Sequence, residues 1–205
     1  MRHQMSVDRP AREMSFEEWL KLDLEDARTE WIGGKAVFYP LTNERHQELT
    51  RFLWALLSLF VEARGRLGRL FADSFAMRTG LRANGRCPDL IFVHRDHLDR
   101  VQSTYLKGPA DLVVEIISPD SVRRDRKEKL PEYEAGGIQE YWIIDPLAKR
   151  ASFYVRGQDD RFQAVLLDGG IFRSRVLPGL WLQIDWLWQE PFPLLMDVVR
   201  QWERV

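Results

Sequence analysis

Apolar residues recur along this chain with two periods. Leu49, Phe52, Leu53, Leu56, Leu57 and Phe60 keep the i, i+3, i+4, i+7 spacing of one helix face, with Asn43 placed to cap its start and Gly65 just past its last turn. Ser15 followed three residues later by Glu18 is a capping-box pattern and predicts a short helix. Gly33 and Gly34 stand between two β-prone runs, which predicts a hairpin, because glycine reaches the positive φ of tight turns. Residues 70–93 are strand-like, with a turn-rich interruption over residues 78–85. Within them residues 89–93 are nearly all apolar, as are residues 111–118, and such runs predict strands covered on both faces at the centre of a sheet. A basic helical segment over residues 121–135 ends at Gly136 and Gly137, and residues 140–146 form another predicted strand. Residues 151–182 suggest short antiparallel strands turning at Gly157 and at Gly169 and Gly170, before a last amphipathic segment. The class is α/β (α+β): a mixed central sheet flanked by helices, with additional antiparallel strands.

Length and composition add limits. The 205 residues are 45% hydrophobic and 30% charged, which suits one globular domain over residues 14–205 behind a loose tail, residues 1–13. A net charge of −1 gives no whole-protein attraction to nucleic acid, so any such footprint must be local. Cys87 is the single cysteine, which excludes an intramolecular disulfide or a cysteine-rich zinc site. The start of the chain lacks an apolar leader core, and residues 53–63, the most apolar stretch, are too short for a bilayer and carry Glu62. These features lead to the expectation of a cytoplasmic protein with no membrane partner.

Chemistry appears where charge interrupts the apolar strands. Alternation puts Val113, Glu115 and Ile117 on one face of the second central strand, so Glu115 is a carboxylate in a buried segment. An unpaired buried charge costs several kcal/mol, so Glu115 requires a cation, a donor or a water-filled cleft; a structural salt bridge is one answer. Asp89 follows Pro88 at the entry of the other central strand, where capping a turn is its bland role. Taken together, the two carboxylates can converge on one hard cation.

Pro88, Asp89 and the strand after them, then residues 111–119 with Glu115, then Asp125, Lys129 and Tyr133, then residues 137–146 ending in Asp145 and Pro146, resemble the Uma2 family of restriction-endonuclease-like proteins, within the PD-(D/E)xK nucleases. The resemblance extends upstream through Glu30 to Gly34 and His46, and covers residues 14–187. It implies a Mg²⁺-dependent endonuclease, with Mn²⁺ able to substitute, acting on nucleic acid and on DNA first. Asp89, Glu115 and the carbonyl of Ile116 would be the metal ligands, since a small hard cation takes few protein oxygens and keeps several waters. The lysine expected two residues after the glutamate is replaced by Ile117, and the matching cation is Lys129 on the following helix.

Asp125 and Lys129 are spaced i, i+4, which suits either a lysine held for catalysis or an ordinary exposed ion pair. Pro131 predicts a break between Lys129 and Glu132 that swings Tyr133 away. His46 and Glu30 are auxiliary candidates; a histidine beside an N-cap is more often structural, and Glu30 suits a hairpin salt bridge equally. Cys87 reads as a small buried hydrophobe. In the basic cluster, Arg123 and Arg126 are candidates for phosphate-backbone contact, while Arg124 and Lys127 read as a solvated face. Trp181, Trp186 and Trp188 read as core or homodimer surface rather than base-stacking platforms. Three function classes follow: a nuclease, a catalytically weak nucleic-acid-binding relative, and a metal-dependent hydrolase of another phosphate-containing substrate.

Overall fold

The chain's two long apolar runs become neighbouring strands, Leu90–His94 and Leu112–Ile116, and every residue of the second is buried. The computed structural model describes residues 10–22, 28–72, 75–79 and 84–202. The two strands lie inside a mixed six-stranded sheet in the order Phe162–Ala164, Arg150–Arg156, Glu140–Asp145, Leu112–Ile116, Leu90–His94, Gly68–Ala72. Only Leu112–Ile116 and Glu140–Asp145 pair in parallel in this sheet, and the crossover between them carries the basic helical segment.

Two cores cover the sheet, one on each face, as the continuous apolar runs require. Leu90, Phe92, Leu112, Val114 and Ile116 face the helix Glu44–Ala63 through Leu49, Leu53, Leu56 and Leu57. Val198 and Trp202 of the C-terminal helix Leu195–Trp202 close that core. Ile91, Val93, Val113, Ile117 and Ile143 face the other way, against Tyr133 of the helix Leu130–Gly136. Asn43 caps the long helix by accepting from the His46 N–H, and Gly65 follows it with φ +81°.

A second six-stranded sheet runs Arg12–Glu13, Lys35–Tyr39, Arg28–Ile32, Asn84–Arg86, Ala76–Thr79, Tyr105–Lys107. Its hairpin turns through Gly33 and Gly34 at φ +56° and +85°, and Phe16 and Trp19 of the Ser15-capped helix pack on it. Arg12 and Glu13, assigned by the sequence to the loose tail, pair with Ala36 and Lys35. Residues 1–9 of that tail, and residues 80–83 of the turn-rich interruption, lie outside the described residues. Trp181, Trp186 and Trp188 belong to the long helix's core, with Trp181 and Trp186 rings 5.2 Å apart. No helix among the described residues is long and apolar enough to cross a membrane.

The basic segment departs from expectation. Arg124–Lys129 wind as a π-helix that runs directly into the helix Leu130–Gly136, with Pro131 in the latter's first turn. Lys129 and Leu130 both keep right-handed helical dihedrals, so the chain continues helically through Pro131, whose missing N–H falls where the winding passes from π to α. Tyr133 accordingly stays on the inner side, fully buried.

Candidate active site

Leu90 pairs with Val114 and Phe92 with Leu112, so the same antiparallel register continued by one position sets Asp89 opposite Glu115. Residues directly opposite on antiparallel strands have Cβ atoms about 5 Å apart, and both carboxylates line one small space. That space is about 20 Å³, above the ~10–15 Å³ that one water molecule needs. Glu30, Tyr39, Ile116, Arg124, Asp125 and Lys129 line it too. Four elements meet there: the two central strands at their ends, the hairpin strand Arg28–Ile32 and the π-helical turn.

Asp89 is held from three sides. Arg28 Nη2 donates to Oδ1 across 2.8 Å, and the Ile116 N–H donates to Oδ2 across 2.7 Å. His46 Nε2 lies 3.2 Å from Oδ2, which as an anionic oxygen accepts and so fixes the proton on that nitrogen. Burial alone would raise the Asp89 pKa, but the His46 and Arg28 contacts and the Ile116 N–H outweigh it and hold the carboxyl at about 2. His46 thus lies at the site as well as beside the N-cap.

Glu115 has the opposite fate. Lys129 Nζ donates to its Oε1 across 2.6 Å and the Tyr133 hydroxyl donates to the same oxygen across 2.8 Å. Burial nevertheless dominates; the lysine opposes it, Asp125, Asp89 and Glu30 add to it, and the carboxyl is pushed up to about 8. Lys129 itself is fully buried among carboxylates, 3.1 Å from Glu30 Oε1 and 3.4 Å from Asp125 Oδ1. These anions overcome the cost of burial and keep its ammonium charged. The exposed ion-pair reading of Asp125 and Lys129 is therefore incorrect. Arg86 Nη1 donates to Glu30 Oε2 across 2.9 Å while its other nitrogens bind Glu132. Burial raises Glu30, but Lys129 and Arg86 override it and hold that carboxyl at about 2.

Of the residues singled out from sequence, the structure brings Asp89, Glu115, Ile116, Lys129, Asp125, Glu30 and His46 together. Arg123 is 84% exposed and 3.7 Å from Glu128. Arg126 turns inward, to Ser152 and Asp145. Arg124, read as a solvated residue, is 16% exposed at its side chain and lies with its guanidinium 3.9 Å over the Tyr39 ring. Lys127 is exposed, as expected. Cys87 is half-buried at the rim of the space. Arg28, Tyr39 and Arg86 escaped the sequence reading. A period-2 signal existed for Arg28, which shares a strand face with Glu30; nothing local marked Arg86 or Tyr39. Among the described residues no three His, Cys, Asp or Glu side chains are grouped to hold a metal ion by themselves.

A family model described as "Uma2: Putative restriction endonuclease" matches residues 15–185. One similar solved structure is a "putative nuclease belonging to DUF820" from Anabaena variabilis. It superposes with a TM-score of 0.70 and is 20% identical, covering 84% of this chain and 96% of that one. At that identity the likeness establishes the fold. Among curated proteins none matches the chain.

Proposed function

The chain belongs to the Uma2 family, and on that premise we propose that it is a divalent-metal-dependent endonuclease hydrolysing phosphodiester bonds of nucleic acid, DNA first. The observation that carries this reading is the placement of Asp89 opposite Glu115 at the ends of two central strands, with Lys129 on Glu115.

The donor set suits a hard cation. Two carboxylates and Ile116 border the same water-sized space, and Mg²⁺ needs only one or two carboxylates because it keeps several waters. Glu115 holds a proton that a cation would replace. A bound divalent ion supplies positive charge to the scissile phosphate and acidifies a water beside it.

The chain's own residues do the remainder. Arg28, His46 and the Ile116 N–H fix the Asp89 carboxylate so that its geometry needs no reorganisation when substrate arrives. Tyr133 and Lys129 fix Glu115, and Asp125 and Glu30 hold the lysine ammonium in place. In this reading Lys129 is the cation that balances charge developing on the phosphoryl oxygens, and exposed Arg123 is a backbone-positioning contact. Arg126 is committed to Asp145 and drops out of that role.

A second reading has one specific observation in its favour: both oxygens of Asp89 are already engaged by Arg28, His46 and Ile116, as in a structural ion pair. A nucleic-acid-binding relative without cleavage would look like this. Incubating supercoiled plasmid with Mg²⁺ or Mn²⁺ separates the two. The nuclease reading expects nicking by the wild type and none by Asp89→Ala; binding without nicking would support the second.

A further inference from the structure

Arg124 combines three features. Its guanidinium is stacked on the Tyr39 ring at 3.9 Å, it lines the same space as Asp89 and Glu115, and its Nε is buried with no hydrogen-bond partner. A buried charged donor left unpaired is unfavourable, so the conformation has to be offset by something else. The stack repays part of it and, being planar, also fixes the orientation of the guanidinium fork.

The acceptors nearby do not complete it. Asp125 Oδ1 is 3.9 Å from Nε, beyond hydrogen-bonding reach, and Glu30 and Glu115 are bonded by Arg86, Lys129 and Tyr133. Lys129 in turn lies within 3.4 Å of Glu30, Glu115 and Asp125, so its donors already have acceptors. Arg28 is bonded to Asp89. Among the described residues lining the space, Arg124 is the cation with a buried donor that has no acceptor.

We propose that Arg124, seated on Tyr39, is the phosphate-binding residue of this site, its guanidinium taking a non-bridging oxygen of the substrate's phosphodiester. A rigid fork suits that ligand better than an ammonium does, because two parallel N–H groups match two phosphate oxygens. Tyr39 acts as a positioning residue through its ring. The inference rests on the nuclease reading above and names the group that engages the substrate's anion.

The test measures both affinity and cleavage. A fluorescent DNA duplex is titrated by anisotropy without divalent metal at several NaCl concentrations, and plasmid nicking is followed with Mn²⁺. Arg124→Ala should weaken duplex binding about tenfold or more and lower the slope of log K against log salt by about one, as loss of one phosphate contact does. Nicking should fall by roughly 10²–10³-fold, the scale of removing one preorganised donor. Arg124→Lys should restore the salt slope but not the nicking rate, and Tyr39→Leu should follow Arg124→Lys. Lys127→Ala, an exposed neighbour, should change neither readout. If the wild type binds and nicks DNA while Arg124→Ala and Arg124→Lys both match it, the assignment of Arg124 is overturned and the nuclease reading stands. If the wild type neither binds nor nicks, both fall together.

Discussion

Lys129 Nζ donates to Glu115 Oε1 across 2.6 Å from a helical turn 14 residues further along the chain. The strand position two residues after Glu115 is Ile117, which lies in the apolar core beside Tyr133. Strand and helix have divided the work: the strand face buries a hydrophobe, and the helix brings a cation to the same carboxylate. The π-helical winding ahead of Pro131 places Lys129 and Tyr133 on one oxygen of Glu115.

Removing that cation should be felt first in stability. Lys129→Ala leaves Glu30, Glu115 and Asp125 buried around an uncompensated gap, a change that costs about 3–5 kcal/mol when one member of a buried ion pair is deleted. Lys127→Ala, on the exposed side, should stay within about 0.5 kcal/mol. Urea unfolding of the two variants checks this; equal, small shifts would return Lys129 to an incidental role.

The raised Glu115 carboxyl carries a pH signature of known sign. Between the ordinary value of 4.5 and about 8, the native protein keeps a proton that the unfolded chain has released, so this group's contribution to stability falls as pH rises through that window. Glu115→Gln keeps the acceptor for Lys129 and Tyr133 and removes the titration. The variant's melting temperature, measured relative to wild type, should therefore climb as pH rises from 4.5 toward 8. A constant difference across that range would show that Glu115 is not held protonated.

Glu30 and Asp89 give the opposite slope. Each is held at about 2, below ordinary values of 4.5 and 3.8, so each contributes stability that is present above those values and lost as pH falls toward 2. Glu30→Gln should be less stable than wild type at neutral pH, because Arg86 and Lys129 lose an anion. Its acid unfolding should also be shallower, since one of the two groups no longer titrates. Parallel acid-unfolding curves would contradict the strong pairing of Glu30.

Which of these features were legible beforehand follows from how local their causes are. The apolar runs, the Gly33–Gly34 hairpin and the Asn43 cap are set by neighbours in sequence, and each appears where the pattern puts it. The Glu115 face followed from alternation alone. Asp89 opposite Glu115 needed a register between two strands, which no single run specifies. Arg124 was misread because a basic residue amid basic neighbours on a helix has a solvated face by default. What overrides that default is the Tyr39 ring, delivered by the distant hairpin strand Lys35–Tyr39. Pro131 was misread for a different reason. Proline disrupts a regular α-helical ladder, and the sequence did not reveal that the winding would pass from π to α beside it.

The central claim is that Asp89 and Glu115 share one divalent cation. Calorimetry of Mn²⁺ binding in buffers of different ionisation enthalpy tests it most directly. With Glu115 pushed up to about 8, binding near neutral pH should release close to one proton, and the release should fade as pH rises past 8. Glu115→Gln and Asp89→Asn should each abolish the proton release together with most of the affinity. Metal binding without proton release, or with wild-type affinity in either variant, would contradict the claim.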